Sequence, residues 1–305
     1  MRFTLDFMKK NVREYLALIN QREEDRWERW SIYRQTLTDL SIKVLLEYPN
    51  ADVLMIGSGA LDDFDLNRLS AHTKKMSFLD LDIKATKEGI KRQGLTPEDF
   101  MVIQQDLTGF DDVDFFDSWH QFMLGEPSFA ETILFIDQKV KQILDKDLSL
   151  PIQKTFDVVI ICPIYTQLIY HEWIEMVDQQ HLKSWSTEEI LKLKAYLLDL
   201  MVPIIDDVNK AIKKWVKPAG KIIAISDIIE WSEADFISFE QMHPSLSEYE
   251  LMDYYLSYVN QYGMGLGDYG LWSLREGLIE QTSRFILWPF SNERVMLVQM
   301  MVINR

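Results

Sequence analysis

Short apolar runs recur along this chain, and most stop at glycine, aspartate or proline. VLMI at 53–56 closes on Gly57-Ser58-Gly59, Phe78-Leu79 precedes Asp80, and MVI at 101–103 precedes Asp106. VVII at 158–161 runs into Cys162-Pro163, and KIIAI at 221–225 into Ser226-Asp227. Runs of this length, without alternation, suit parallel strands buried on both faces. Polar, helix-compatible sequence separates them, so the repeated change of period predicts a doubly wound, mostly parallel α/β sheet. Two further runs, 284–288 and 295–303, flank a turn at 289–294. They predict an antiparallel hairpin closing one sheet edge and bring the count to seven strands.

The intervening segments carry helical spacing. Tyr15, Leu16, Ile19, Trp27 and Trp30 form apolar stripes among charges such as Arg22, Glu23 and Glu24, and Leu37, Leu40, Val44 and Leu45 continue the pattern. Two or three helices ahead of the sheet are expected, either covering the domain or capping a pocket. Ile133, Ile136, Val140 and Leu144 share one face of a helix over 128–144. Ser186-Thr187-Glu188-Glu189 reads as a helix start, and Pro203 should bend or divide the helix that follows. YGMGLGDYG at 262–270 reads as a turn or flexible lid, with a structural loop as the alternative. The expected organisation is a helical cap over 1–50 and one domain over 51–305, with insertions at about 110–150, 164–216 and 230–283.

Charge narrows the partners. Across 305 residues, 48 acidic side chains face 32 basic ones, a net charge of −16. That field opposes loose binding to a phosphate backbone, which disfavours nucleic acid and favours a small molecule or a protein. Cys162 is the only cysteine, so an intrachain disulfide is excluded and a thiolate metal cluster disfavoured. The five histidines form no short metal-ligand motif, and no essential metal is expected. The absence of a signal-peptide core and of a long apolar run makes a cytoplasmic protein without membrane insertion the expectation.

The sharpest local signal is VLMIGSGALDD at 53–63. Glycine after a parallel strand lets a ligand approach the backbone, and Asp80, after the next strand, is placed to accept hydrogen bonds from a ribose diol. Asp62 stands where GxGxxG has its third glycine, and Asp62 with Asp63 would repel a pyrophosphate. A nucleoside cofactor carrying positive charge and no phosphate, S-adenosylmethionine, tolerates those acids better. The alternative is that both aspartates face water and start the next helix.

These blocks, with FLDLDIKA at 78–85, QQDL at 104–107, FDVVIICPIY at 156–165, KPAGKIIAISD at 217–227 and FILWPFSNERVMLVQMM at 285–301, resemble the class I S-adenosylmethionine-dependent methyltransferase family. The resemblance implies a Rossmann-like sheet with a terminal hairpin. It implies that the turn Gly57, Ser58, Gly59 supports the methionine part, that Asp80 holds the ribose and that Asp106 meets the adenine amine. Leu81 would line the adenine face, Asp62 would contact the cofactor, and Cys162 with Pro163 would lie near the transferred methyl. Tyr165 and His171, with Tyr170 and Glu172 beside them, are the candidates for acceptor-side catalysis; Cys162 reads better as a buried thiol than as a nucleophile. Asp227 faces the substrate mouth or caps a helix, and Trp231, Tyr262, Tyr269 and Trp272 form an aromatic enclosure or fill a small helical cap. The expected activity is methyl transfer to a small-molecule nucleophile. Aminocarboxypropyl transfer from the same cofactor, or a non-enzymatic cofactor-binding or scaffold role, are the alternatives.

Overall fold

The protein was analysed as a computed structural model, which describes residues 25–146, 148–179, 185–243 and 245–305. Tyr15, Leu16, Ile19, Arg22, Glu23 and Glu24 lie outside the described residues. A short helical turn at Arg26–Arg29 leads into α1 (Ser31–Leu45), then β1 (Ala51–Ile56), α2 (Leu66–Ser70), β2 (Thr73–Asp80), α3 (Ile83–Arg92) and β3 (Met101–Gln104). After α4 (Phe115–Met123) and α5 (Phe129–Leu144) come β4 (Phe156–Ile161), α6 (Tyr170–Gln179), α7 (Thr187–Trp215) and β5 (Val216–Ser232). The last third adds α8 (Glu233–Met242), α9 (Glu248–Tyr262), α10 (Leu266–Arg275), β6 (Ile279–Trp288) and β7 (Arg294–Asn304).

The seven strands form one sheet in the order β3-β2-β1-β4-β5-β7-β6. β1 to β5 run parallel, with Ile56 opposite Leu79 and Ile161, and Ile161 opposite Ala224. β7 is antiparallel to β5 and to β6. This is the expected Rossmann-like sheet with its terminal hairpin. The carboxyl ends of the parallel strands share one edge, and the order reverses between β1 and β4, where open α/β sheets bind ligands. Alternate residues of β1 feed two cores: Leu54 and Ile56 pack towards α4 to α7 and α10, Val53 and Met55 towards α1, α2 and α3. Burial on both faces is why the strands read as continuous apolar runs.

Three expectations change. β5 is far longer than its apolar run, because Ser226 to Ser232 keep pairing with β7 past the end of β4, through a bulge at Asp227. β5, β7 and the tip of β6 therefore rise above the carboxyl edge as a wall. Pro203 does not divide α7, which runs through it. Leu197, Met201, Ile204, Ile205 and Val208 are buried on either side of it, and that packing outweighs the hydrogen bond proline removes. The glycine-rich segment is mostly helix: only Gly263 to Gly265 join α9 to α10, whose Gly267, Asp268 and Gly270 are buried. The helix starts at 128 and 186 are as expected, each a reciprocal Ser–Glu capping box.

Candidate functional site

The turn after β1 is held from several sides. Gly57 N–H donates to Leu79 O at 2.9 Å. The Ser58 hydroxyl is buried against Thr86 Oγ1 of α3 at 2.8 Å. Gln93 Nε2 donates to Leu61 O and Phe64 O, and Arg92 to Ala60 O. Gly57 sits at φ +71°, and a Cβ there would lie 2.1 Å from Ile164 Cγ2. Glycine is thus required both by backbone conformation and by the approach of the β4 loop.

Asp80 ends β2 beneath this turn. Gly59 N–H donates to its Oδ2 at 2.7 Å and Asp82 N–H to its Oδ1 at 2.8 Å. An ionised carboxylate has about four acceptor sites, so acceptor capacity remains for a ligand. Its two oxygens, side by side, match the two hydroxyls of a ribose. Burial raises the Asp80 pKa, and the Gly59 and Asp82 amides oppose the shift by stabilising the anion.

Gly57, Gly59, Asp80 and Leu81 line a cleft of about 570 Å³ with Asp106, Leu107, Thr108, Ile164, Gln167 and Leu168. Apolar side chains from both banks can enclose a base, and the two acids come with no lysine or arginine among the described lining residues. That charge pattern fits a nucleoside without phosphate better than a dinucleotide.

A second chamber, of about 510 Å³, shares Gly57, Gly59 and Gln167 with the first. Arg26, Trp30, Ala60, Asp62, Asp63, Pro163, Trp288 and Phe290 complete it. The raised tip of β6 brings Trp288 and Phe290 over the edge. There Trp30 lies 4.8 Å from Trp288 and donates from Nε1 to Phe290 O at 3.1 Å, while Tyr33 of α1 stacks on Trp288 at 5.0 Å. Asp62 is ion-paired, 3.0 Å from Arg92 and 3.6 Å from Arg26.

Asp63 is the less compensated acid. Burial and the neighbouring Asp62 push its pKa up to about 7, against the opposing charges of Arg26 and Arg34. The folded pKa exceeds the unfolded one, about 3.9, so the folded state binds this proton more tightly. Stability is therefore lost as pH rises from about 4 to about 7. Asp63→Asn removes that loss. Its stabilising effect in urea unfolding should be larger at pH 8 than at pH 5 by on the order of 2 kcal/mol, from about 1.4 kcal/mol per pH unit.

The structure brings Gly57, Gly59, Asp80, Leu81 and Asp106 to the first chamber and Asp62 to the second, and separates the rest. Ser58 contributes its backbone to the turn but turns its side chain into α3. Asp106 is engaged as a cap: Oδ1 takes the N–H and hydroxyl of Thr108, and Oδ2 takes Asp111 N–H. Cys162 is buried in the α1-side core, and burial, then Asp63 and Asp80, raise its thiol pKa; the thiol is no nucleophile there.

Tyr165 requires correction. It is absent from the lining of both chambers, and its buried hydroxyl donates to Asn209 Oδ1 at 2.7 Å while its ring packs on Gly270. A buried apolar-ring site with a satisfied hydroxyl is a core position, not an acceptor-side base. Tyr165→Phe should cost about 1 to 2 kcal/mol of stability, by leaving Asn209 short of a donor, and leave cofactor affinity unchanged in calorimetry. His171 lies on α6, and its side chain falls outside the described part of the structure. The aromatic enclosure also needs correction: Trp231 packs on Phe236, Phe239 and Tyr254, and Tyr269 on Trp272, while Tyr262 is exposed. None of the four lines either chamber. Asp227 accepts from Thr166 Oγ1 at 2.9 Å. The aromatic lining comes instead from Trp30, Trp288 and Phe290, which the sequence places in a helical stripe and in the terminal hairpin without joining them.

Among the described residues no group of three His, Cys, Asp or Glu side chains is arranged to hold a metal ion, and no helix is long and apolar enough to cross a membrane. No family model and no curated protein matches this sequence. Among solved structures, the chain is similar to the N-methyltransferase NodS from Bradyrhizobium japonicum WM9 in complex with S-adenosyl-l-homocysteine, at 10% identity over 96% of this chain and 99% of that one, TM-score 0.43. It is also similar to TrmN from Thermus thermophilus, at 11% identity over 92% and 52% of the two chains, TM-score 0.39. The same holds for the putative RNA methyltransferase PH1948 from Pyrococcus horikoshii, at 11% identity over 96% and 98%, TM-score 0.38. At these identities and scores the likeness decides neither substrate nor reaction.

Proposed function

We propose that this protein binds S-adenosylmethionine in the first chamber and transfers its methyl group to a small-molecule nucleophile. The observation that carries the reading is Asp80, fixed by the Gly59 and Asp82 N–H groups and lining the cleft beside a glycine turn, where no lysine or arginine is among the described lining residues. The cofactor, when bound, supplies an electrophilic methyl on a positively charged sulfur.

The chain's own contribution is alignment and exclusion of water. Asp80 holds the sugar, Leu81 and Leu107 face the base, and the backbone at Gly57 and Gly59 supports the end that points to the second chamber. Displacement at a sulfonium needs no covalent triad, so the lack of one among the described residues of the cleft is no obstacle. The net charge of −16 favours a small acceptor over nucleic acid.

Calorimetry with S-adenosylmethionine and S-adenosylhomocysteine tests the reading. Binding of both at one site, with loss of affinity on Asp80 substitution, is the expected result. Folded protein that binds neither overturns it.

A further inference from the structure

The second chamber offers more than space. Three aromatic rings, Trp30, Trp288 and Phe290, share its wall with the carboxylate of Asp63. Aromatic faces attract cations, and the ring faces here already carry two: the guanidinium of Arg26 lies 5.0 Å from the Trp30 centroid and that of Arg294 4.7 Å from Phe290. Asp62 is matched by Arg26 and Arg92. Asp63 Oδ1 is enclosed and has no hydrogen-bond donor.

A second polar atom is orphaned on the same wall. Trp288 is 3% exposed and its Nε1–H has no acceptor. Tyr33 is fully buried, and its hydroxyl faces Asp63, whose charge and hydrogen bonding, after burial itself, raise its pKa. Buried polar groups are normally paired, and each exception asks for an explanation. A ligand that brings a donor for Asp63 and an acceptor for Trp288 would satisfy both.

Resting on the cofactor reading above, we propose that the second chamber receives the methyl acceptor as a protonated aliphatic amine, held against Trp30, Trp288 and Phe290, and that Asp63 takes its proton. The carboxylate removes one proton from the ammonium, leaving a neutral amine. The amine nitrogen then forms a bond to the methyl carbon as the carbon–sulfur bond breaks, and that electron pair stays on sulfur as an uncharged thioether. The product leaves as a methylated ammonium ion, and the proton on Asp63 passes to water.

The surroundings of Asp63 suit this role. Asp62 and burial hold its pKa up to about 7, Arg26 and Arg34 pull it down, and the un-ionised Tyr33 and Cys162 complete its environment. A general base poised near neutrality exchanges protons readily. Below that pKa the group is neutral and loses its grip on an ammonium, so amine affinity should rise between pH 6 and pH 8.

The test titrates propylamine, benzylamine and phenethylamine, with propanol and benzyl alcohol as neutral counterparts, into protein saturated with S-adenosylhomocysteine. Heat and quenching of tryptophan fluorescence are read at pH 6 and pH 8. The expected result is saturable binding of at least one amine but of neither alcohol, with bound S-adenosylhomocysteine retained and affinity higher at pH 8. Asp63→Asn should weaken amine binding at least about 10-fold and abolish its pH dependence, while S-adenosylhomocysteine affinity changes less than about 3-fold and the melting curve stays cooperative. An amine that displaces S-adenosylhomocysteine would assign the chamber to the cofactor's own amino-acid end and overturn the proposal. So would equal binding by Asp63→Asn, or binding of S-adenosylhomocysteine with no amine binding at all. Failure to bind S-adenosylhomocysteine in the first place would instead sink the cofactor reading.

Discussion

Asp80→Ala is expected to raise the Kd of both S-adenosylmethionine and S-adenosylhomocysteine by about 100-fold or more. Each hydrogen bond to a charged acceptor contributes about 1.5 to 3 kcal/mol, and two would be lost. At about 1.4 kcal/mol per factor of ten, the lower end of that range already exceeds 100-fold. Alanine also leaves Gly59 N–H and Asp82 N–H without their acceptor, which loosens the turn that meets the cofactor. Asp80→Asn should fall between, because its amide offers one oxygen and turns an N–H₂ group towards a backbone N–H. The pH dependence has a definite sign. Only the ionised carboxylate keeps acceptor sites on both oxygens, and burial raises its pKa, so cofactor affinity should weaken as pH falls through that raised value. Calorimetry on wild type and both variants checks the order; equal affinity for Asp80→Ala would remove Asp80 from the site.

The contrast between what the sequence revealed and what it concealed follows from distance along the chain. Gly59 and Asp80 meet across 21 residues, within one βαβ unit, so a local pattern marked both. The buried strands were legible because a strand covered on both faces needs apolar residues at every position. The second chamber is assembled from Trp30 and Phe290, 260 residues apart, and no spacing rule reaches that far. Asp62 illustrates the same limit. Its place in the glycine motif was plain, but its pairing with Arg26 and Arg92 exists only once α1's leading turn and α3 have packed around the loop. β5 outran its apolar run because its last turns of pleat are stabilised by a partner strand, β7, that lies some seventy residues further along the chain. Tyr165 sat next to the right loop, but its side chain enters the core, where its hydroxyl meets Asn209 of α7, 44 residues further on.

Glycine was the hardest residue to read, and the Tyr262 to Gly270 segment gives the second large effect. Gly267→Ala is expected to destabilise the protein by on the order of 3 kcal/mol, lowering Tm by several degrees. A Cβ at 267 would stand 2.0 Å from Asp227 O and 2.7 Å from Ser226 Oγ, both in β5. A backbone oxygen in a paired strand cannot swing aside, so α10 itself would have to lift. That helix is locked from the other side as well: Asn209 Nδ2 of α7 donates to Gly270 O at 3.0 Å, and a Cβ at Gly270 would lie 2.2 Å from the Tyr165 ring. Gly265, two residues earlier, provides the control. It sits at φ −81°, and its Cβ would find only Asp268 Oδ2, at 3.7 Å, so Gly265→Ala should cost only the N-cap preference for glycine over alanine, about 1 kcal/mol or less. Thermal melts of the two variants separate the roles that one glycine-rich string can play. A flexible lid predicts small, similar shifts for both; a close-packed helix predicts a large shift at 267 alone. Equal shifts would show that α10 does not press on β5 as described, and with it would go the rigid backing that β5 gives to the raised hairpin carrying Trp288 and Phe290.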